Sequence, residues 1–266
     1  AMAGTDGITP DRFAQTLNTE LQRLQTALLN STYQPFPVRR FYLKKASGKQ
    51  RPISVWTVRD RIVQRVIHEA LTPSFEQVFL PCSYGFRPGR STEGAIQAVI
   101  QGRDAGLTWL LDADIADCFG SIRLDLLHGQ LARVIESRVV LGLIELWLHT
   151  PVAGFRGEVA GVSQGGVISP LLANLYLHRF DEMMLAALPG TQLIRFADDF
   201  IVLCANEDTA AWCLDVARRS LENLYLRLNM RKTRITSFDE GFMFLGGQFK
   251  GRWHQLPGQL TGEIET

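Results

Sequence analysis

The alternation of apolar and polar residues predicts helices and short strands in the N-terminal part. A threonine cap and a first-turn proline, Thr9-Pro10, precede apolar residues at helical spacing. The stripe that this helix should bury is formed by Phe13, Leu17, Leu21, Leu24 and Leu28. Two strands are expected at 39–43 and 51–55, turning at 46–48. A further helix is expected from about 57 to 71, with its inward face formed by Ile62, Val63, Val66 and Ile67.

The rest of the chain continues this mixture of helical and extended patterns. Residues 81–90 read as irregular, Ser91 as the cap of a helix to about 101, and 107–115 as a buried strand. The remaining expected elements are helices at 123–136, 138–149, 169–188 and 208–228, a strand, break and second strand within 193–205, and two strands near 234–238 and 242–249. Strands separated by helices indicate an α/β or α+β fold with helices packed on a sheet.

Composition favours a soluble globular protein with a proper core. The chain has 266 residues, 46% of them hydrophobic and 21% charged, enough for one large domain or two modest ones. The longest apolar stretch, 139–155, contains Glu145 and His149, so it predicts a buried helix rather than a membrane span. No secretory signal pattern begins the sequence. We therefore expect a cytoplasmic protein without membrane contact.

The four cysteines are interpreted as reduced core thiols. They are Cys82, Cys118, Cys204 and Cys213. They form no CxxC pair and no His/Cys cluster of the kind that zinc sites require. This pattern also fits a cytoplasmic location.

Positive charge is concentrated in one segment although the net charge is only +1. Between residues 39 and 65 the single acid is Asp60. The basic residues there are Arg39, Arg40, Lys44, Lys45, Lys49, Arg51, Arg59, Arg61 and Arg65. Such an excess attracts phosphate groups. A solvated surface ribbon is the alternative, and this feature alone does not separate the two.

Two adjacent acids, Asp198 and Asp199, interrupt an apolar run and predict a hairpin with both carboxylates at its tip. Asp112 and Asp114 lie on one face of the buried strand at 107–115, with Asp114 at its end. If that strand lies beside the hairpin, three carboxylates converge, which is destabilising without a counter-charge. Divalent cations supply it, and a pair of them about 4 Å apart stabilises both oxygens of a phosphoryl displacement. An ordinary acidic turn is the alternative.

The pattern Asp112-Ala113-Asp114 also permits a different chemistry. It is similar to the nucleophile motif of haloacid-dehalogenase-type phosphatases, in which an apolar strand ends in Asp-x-Asp-x-Thr/Val. Position 116 is alanine here, and the later acidic pair lies in a hairpin rather than in that family's Gly-Asp-x-x-x-Asp form. The phosphatase is therefore the minor alternative.

Five segments in register resemble the reverse transcriptases of the group II intron lineage. They are Gly4-Thr-Asp-Gly-Ile8, Tyr84-Gly-Phe-Arg-Pro-Gly-Arg-Ser91, Asp114-Ile-Ala-Asp-Cys-Phe119, Ser163-Gln-Gly-Gly-Val-Ile-Ser-Pro-Leu-Leu-Ala-Asn-Leu-Tyr-Leu-His178 and Phe196-Ala-Asp-Asp199. The resemblance implies an α+β right-hand polymerase, with fingers at 1–106 and a palm at 107–266. The palm sheet would consist of antiparallel strands packed on helices, with primer-grip strands near 242–249.

The resemblance also implies the metal site. Asp114, Asp198 and Asp199 would be the catalytic residues and would bind two Mg²⁺ ions, with Mn²⁺ able to substitute, assisted by the carbonyl of Ile115. Asp199 is the more peripheral ligand in this expectation. The implied activity is RNA-directed DNA polymerisation, the transfer of a nucleotide from a dNTP to a primer 3′-hydroxyl.

Further roles follow from the same resemblance. Lys45 and Arg51 would bind the triphosphate, with Lys44 as an alternative lysine, and Phe119 would exclude a 2′-hydroxyl and so favour dNTPs. The remaining implied contacts are Gln164 and Gly165 beneath the incoming nucleotide, Lys232 as the acid for pyrophosphate, and Leu245 and Gly246 in the primer grip. Ordinary core packing is the alternative for Phe119, and a plain surface lysine is the alternative for Lys232.

The sequence departs from the intron-encoded pattern because it stops about twenty residues after Phe244-Leu-Gly-Gly247, with no thumb and no maturase region. We expect an excised domain of a longer protein, completed by a thumb, a maturase region or a CRISPR adaptation integrase, or a relative that borrows its thumb. The implied partners are an RNA template, a DNA or RNA primer and dNTPs, with roles in introns or antiviral defence. A non-catalytic nucleic-acid-binding module with the same fold is the remaining alternative.

Overall fold

The computed structural model describes residues 2–44, 50–157 and 160–258. In chain order the elements are α1 (Pro10–Gln15), α2 (Leu17–Leu29), β1 (Arg39–Lys44), β2 (Gln50–Val55), α3 (Val58–Glu76), α4 (Thr92–Asp104), β3 (Trp109–Asp114), α5 (Cys118–Ser121), α6 (Leu124–Val134), α7 (Arg138–Leu148), α8 (Ser169–Ala187), β4 (Gln192–Phe196), β5 (Asp199–Cys204), α9 (Glu207–Glu222), β6 (Arg234–Ser237), β7 (Phe242–Phe244), β8 (Gly247–Lys250) and β9 (Trp253–Gln255). Two units are formed, Ala1–Val78 with Phe119–Tyr176, and Phe79–Cys118 with Leu177–Thr266.

The first unit contains the two-stranded ladder that the sequence predicts. β1 pairs antiparallel with β2, with Arg39 opposite Val55 and Lys44 opposite Gln50. The expected turn at 46–48 lies outside the described residues. Thr9 caps the first helix as predicted, since its hydroxyl accepts the Arg12 amide proton. That helix is broken at Thr16, which has a non-helical φ of −121°, so α1 and α2 replace one continuous helix.

Two predicted helix faces in the first unit are only partly correct. In the α1–α2 stripe Phe13 and Leu24 are buried, but Leu17 and Leu21 are exposed. In α3 the side chain of Val66 is 58% exposed, so its inward assignment is wrong. The face of α3 that is buried carries Asp60, Val63, Gln64, Leu71 and Phe75. Two polar side chains occupy this face, which a purely apolar periodicity does not reveal.

Asp60 is a fully buried carboxylate that connects three segments of the first unit. Its oxygens accept hydrogen bonds from the Tyr33 hydroxyl at 2.9 Å, the Phe36 amide at 3.1 Å and the Thr57 hydroxyl at 2.6 Å. Thr57 in turn caps α3 by accepting the Asp60 amide proton. Burial is the largest cause that raises the pKa of Tyr33, and the negative charge of Asp60 adds to it. The start of α3 is therefore fixed by a satisfied polar network.

The second unit is built on a four-stranded antiparallel sheet with the order β4-β5-β3-β6. From Phe200 to Cys204, the side chains of β5 are all buried. Ile201 and Leu203 pack in a cluster with α4 residues, whereas Phe200 points to the other face, where the Phe180 ring of α8 lies 5.0 Å away. A strand covered on both faces is apolar on successive residues, which explains the unbroken run after Asp199.

The C-terminal part of the second unit differs in detail from the sequence pattern. α9 ends at Glu222 rather than 228, and Tyr225 follows with a left-handed φ of 56°. The predicted strand at 242–249 is two strands, β7 and β8, which join through Leu245 and Gly246 with φ of 51° and 82°. Two consecutive positive φ angles match a tight hairpin turn. β9 pairs with β8 and was not expected.

Helices combined with antiparallel strands confirm the α+β fold class. The stretch 139–155 is not one buried helix, because α7 ends at Leu148 and both Val139 and Phe155 are exposed. All four cysteines are buried and free. Among the described residues, none of the helices has the length and apolar character needed to cross a membrane.

The Asp60 network generates a stability prediction. Replacing Asp60 with alanine leaves the Tyr33 hydroxyl, the Phe36 amide and the Thr57 hydroxyl without this acceptor, so the free energy of unfolding should fall by about 3 kcal/mol. Urea denaturation followed by circular dichroism measures it. The control is Asp125→Ala, which removes an exposed aspartate paired with Arg123 in the same unit. Equal effects of the two substitutions would contradict the assigned role of Asp60.

Candidate active site

Strand pairing in the second unit brings the three predicted acids to one end of the sheet. Asp114, the last residue of β3, lies directly opposite Asp199, the first residue of β5. The Ile115 amide donates to the Asp198 carbonyl at 3.0 Å, so the ladder continues one residue beyond the paired aspartates. Directly opposed residues in an antiparallel pair have Cα atoms only about 4.5–5.5 Å apart. The predicted convergence of these acids is therefore present in the backbone register.

The turn between β4 and β5 is a strained connection. It consists of Ala197 and Asp198, and Ala197 has a left-handed φ of 58°. A residue with a Cβ adopts this conformation at an energetic cost, so neighbouring contacts must stabilise it. The Ala197 carbonyl accepts a hydrogen bond from the Arg195 guanidinium at 3.0 Å. The turn that presents Asp198 is thus bonded to a side chain from its own strand.

Asp114 is bonded through both of its carboxylate oxygens. The Asn229 side-chain amide donates to Oδ1 at 2.9 Å, and the Lys232 ammonium donates to Oδ2 at 2.6 Å. The Asn229 backbone amide also donates to the Asp114 carbonyl at 2.8 Å. The segment that follows α9 is therefore attached to the end of β3 by three hydrogen bonds. Asp114 itself is only 8% exposed.

The pKa values of the acids in this group are raised by burial and by neighbouring negative charges. Burial, followed by the nearby charges of Asp114 and Asp198, raises the pKa of Asp199 to about 6. The hydrogen bond to Asp114 is the largest cause that raises the pKa of Lys232. Burial also raises the pKa of Asp112, although Arg234 donates to its carboxylate at 2.9 Å and opposes the shift. The site thus favours a positive charge beside these carboxylates.

The chemistry of the donors fits a divalent cation. Carboxylate oxygens are the ligands that Mg²⁺ prefers. One positive charge, the Lys232 ammonium, already forms an ion pair with Asp114. Within residues 2–44, 50–157 and 160–258, however, no three acidic, histidine or cysteine side chains are arranged as a ready metal-binding set. In this structure both carboxylate oxygens of Asp114 accept hydrogen bonds, one from Asn229 and one from Lys232.

Several residues predicted to bind nucleotide lie in the first unit. The Arg51 Nε donates to the Gln164 side-chain oxygen at 2.7 Å, so these two are in contact. The Ser54 amide donates to the Gln164 carbonyl at 2.7 Å, which attaches the glycine-rich loop to β2. Gly165 has a φ of 106°, and a Cβ there would lie 2.3 Å from the Ser54 carbonyl oxygen. Only glycine fits this close approach. Lys45 lies outside the described residues.

Phe119 and the primer-grip residues occupy different environments. Phe119 belongs to the first unit and is 8% exposed, and its carbonyl accepts the Val162 amide proton at 2.8 Å. Leu245 and Gly246 form the turn between β7 and β8 in the second unit. Their roles toward a nucleotide or a primer stay predictions, because they require contacts with molecules outside this chain.

Sequence reasoning missed two residues of the site, Asn229 and Arg195. Asn229 stands in the segment Asn229-Met-Arg-Lys-Thr233, where only the lysine was given a role. Arg195 stands between the apolar residues Ile194 and Phe196 of a buried strand. An arginine in such a strand requires a buried acid, and this was the available signal. Its partner Asp181 lies on α8.

The chain is similar to known proteins over most of its length. Residues 43–249 match the family described as reverse transcriptase (RNA-dependent DNA polymerase). The protein YkfC of Escherichia coli K12 is 35% identical over 285 aligned positions, covering 91% of this chain and 74% of that protein. The group II intron-encoded protein LtrA of Lactococcus lactis is 33% identical over 193 positions, covering 69% of this chain and 31% of that protein.

Solved structures share the fold. The telomerase of Candida albicans, in a complex with a fragment of telomeric RNA, superposes with a TM-score of 0.67 at 12% identity over 96% of this chain and 50% of that one. The apo telomerase of Candida tropicalis gives a TM-score of 0.65 over 91% of this chain and 53% of that one. The matched family is a polymerase family, so the match favours the polymerase interpretation of the acids over the phosphatase interpretation. Because residues 43–249 match its family model, the chain belongs to the reverse transcriptase (RNA-dependent DNA polymerase) family.

Proposed function

We propose that this chain extends a primer on an RNA template, with Asp114, Asp198 and Asp199 as the centre of nucleotidyl transfer. The observation that carries the proposal is the strand register, which sets Asp114 opposite Asp199 and bonds Ile115 to Asp198. In the proposed reaction the primer 3′-hydroxyl loses its proton and attacks the α-phosphorus of a dNTP. The bond to pyrophosphate breaks as the new phosphodiester forms.

The acids of the site would bind two Mg²⁺ ions, with Mn²⁺ able to substitute, through Asp114, Asp198, Asp199 and the Ile115 carbonyl. Bound ions would stabilise the attacking and leaving oxygens. The support is the donor chemistry together with the raised pKa of Asp199, which burial raises most and the charges of Asp114 and Asp198 raise further. Asn229 orients Asp114 through its side chain and its backbone amide. Orientation of a ligand by its neighbours is a common requirement for metal affinity.

Lys232 is proposed as the proton donor to pyrophosphate. Its hydrogen bond to Asp114 keeps the side chain protonated and at the site, since that contact is the largest cause of its raised pKa.

Arg51 is proposed to bind triphosphate oxygens, for which a planar guanidinium is well suited. Lys45 would assist it. On nucleotide binding, Gln164 would lose its hydrogen bond to Arg51 and contact the nucleotide instead. Gly165 would lie beneath the base pair that the incoming nucleotide forms with the template.

The wider assignment rests on the resemblance to the intron lineage. We propose fingers at 1–106 and a palm at 107–266, with Leu245 and Gly246 contacting the primer end. Template and primer would be bound mainly through phosphates, so affinity for both should fall as the salt concentration is raised.

The chain spans 31% of the intron-encoded relative LtrA. A longer protein with a thumb, a maturase region or a CRISPR adaptation integrase is therefore proposed, in a cytoplasmic setting that suits four free cysteines.

Primer extension with Mg²⁺ on an RNA template tests the proposed activity. Asp198→Ala removes one carboxylate at the turn and should lower the extension rate by at least about 10³-fold. The matched control is Asp239→Ala, an exposed aspartate after β6 that should leave the rate unchanged. Template binding without extension would favour the non-catalytic module. Phosphate release from small monoesters would favour the phosphatase.

Phe119 generates a test of sugar selectivity. If its ring contacts the sugar of the incoming nucleotide, Phe119→Ala opens space for a 2′-hydroxyl and should lower the selectivity for dNTP over NTP by about tenfold or more. Steady-state kcat/KM for dTTP and UTP on the same template measures the ratio. Phe119→Tyr keeps the ring and serves as the control. Unchanged selectivity in the alanine variant, with lowered stability, would assign Phe119 to the core alone.

The opposed acids generate a stability prediction. Like charges directly opposite one another in a sheet are destabilising, so Asp199→Asn should raise the free energy of unfolding in EDTA by about 0.5–1 kcal/mol. The same variant should gain less stability from added Mg²⁺ than the wild type, because ligand binding stabilises only through the folded site. Thermal unfolding with and without Mg²⁺ measures both. Lower stability of the variant in EDTA would show that repulsion is not the dominant interaction of Asp199.

A further inference from the structure

Arg195 is the largest fully buried side chain in the described part of the chain. Its Nε donates to Asp181 Oδ1 at 2.7 Å and its Nη2 donates to Asp181 Oδ2 at 2.6 Å, a bidentate pair that neutralises both charges. Nη2 also donates to the Ser83 hydroxyl at 2.9 Å, and Nη1 donates to the Ala197 carbonyl at 3.0 Å. One planar group therefore joins a helix, an irregular segment and the acidic turn.

The contact with Ala197 differs from the others because it constrains the backbone of the acidic turn. Ala197 is left-handed, which is unfavourable for any residue that has a Cβ, and Asp198 follows it directly. A hydrogen bond to the Ala197 carbonyl fixes the orientation of the peptide unit that leads into Asp198. The direction in which Asp198 leaves the turn thus depends on where the guanidinium lies.

The other side of the turn is fixed by the segment that contains Ser83. The Arg195 amide donates to the Cys82 carbonyl and the Tyr84 amide donates to the Arg195 carbonyl, both at 2.8 Å. A Cβ on Gly85 would lie 2.6 Å from the Ala197 nitrogen, so this segment packs directly against the turn. The hydroxyl of Ser83 links the same segment to the guanidinium. The turn is therefore held by the Arg195 guanidinium and by the segment containing Ser83, and Arg195 bonds to both.

Stability alone is a weak reason to bury such a pair, because well-packed apolar side chains of similar volume often replace a buried ion pair without loss. Apolar side chains cannot donate to the Ala197 carbonyl. We propose that Arg195 is a positioning residue for nucleotidyl transfer, which acts by fixing the Ala197 turn and so the placement of Asp198. This inference rests on the proposed function of the three acids.

The test replaces the charge pair while keeping the volume. Arg195→Met with Asp181→Leu removes both charges together and leaves no buried ion unpaired, so the double variant should fold with a thermal midpoint near that of the wild type. Its kcat for dTTP addition on a poly(rA) template with an oligo(dT) primer should fall by about 10²-fold, as expected for a misplaced reacting group. KM for dTTP should change less than about twofold.

A second variant covers the case in which the double variant does not fold. Arg195→Lys keeps a positive charge for Asp181, but one ammonium does not span Asp181, Ser83 and the Ala197 carbonyl as the guanidinium does. Its kcat should fall by about tenfold at unchanged KM. Electron paramagnetic resonance of added Mn²⁺ gives a readout that is independent of turnover, and both variants should bind Mn²⁺ about tenfold more weakly.

The control is Arg179→Gln with Glu182→Gln, which removes an exposed pair on the same helix and should leave kcat and Mn²⁺ affinity unchanged. A folded variant at position 195 with wild-type kcat and wild-type Mn²⁺ affinity would overturn the proposal. Failure of both variants to fold would assign the arginine to stability alone and would also overturn it. If the wild type extends no primer, the proposed function fails, and the Mn²⁺ affinities still decide whether Arg195 fixes the turn.

Discussion

The ion pair between Arg195 and Asp181 is the interaction on which the geometry of the site depends. Its side chains are 0% and 1% exposed, so both charges have been removed from water and require one another. Arg195 lies on β4 and Asp181 on α8, and the same guanidinium reaches Ser83 and the Ala197 carbonyl. The pair therefore connects helix α8 to the acidic turn between β4 and β5. Removing one partner alone would leave a buried charge without compensation.

The site that this pair supports brings like charges close together, which is electrostatically unfavourable. Asp114 faces Asp199 across two strands, and burial together with the neighbouring acids raises the pKa of Asp199 to about 6. The Lys232 ammonium compensates part of the charge at one oxygen of Asp114, and the neutral Asn229 amide donates to the other. Like charges directly opposed in a sheet are destabilising, and lowered stability is a common cost of catalytic sites. Bound cations, as proposed above, would offset this cost.

The same fold can be formed by sequences that differ at most positions. The telomerase of Candida albicans shares the fold at 12% identity, so most aligned residues differ between the two proteins. Cores tolerate such replacement if volume and pattern are kept. Strand register is less tolerant, because a shift by one residue would move every side chain of β3 to the other face. In this chain, such a shift would remove the opposition of Asp114 and Asp199.

Periodicity predicted the positions of most helices and strands and left the class open as α/β or α+β, which the family resemblance narrowed to α+β. The meeting of Asp114 with Asp198 and Asp199 was predicted on the condition that their strands are neighbours. These features depend on local pattern and on motifs that stand in a fixed order along the chain. Tertiary structure alone decided that Asp181 neutralises Arg195, that Asn229 bonds Asp114, that Val66 is exposed and that α9 ends at Glu222. Asn229 and Asp114 are 115 positions apart, and no local pattern encodes a hydrogen bond across that distance. Such contacts arise only when packing brings the segments together, because a polar side chain takes whichever partner the fold places within reach.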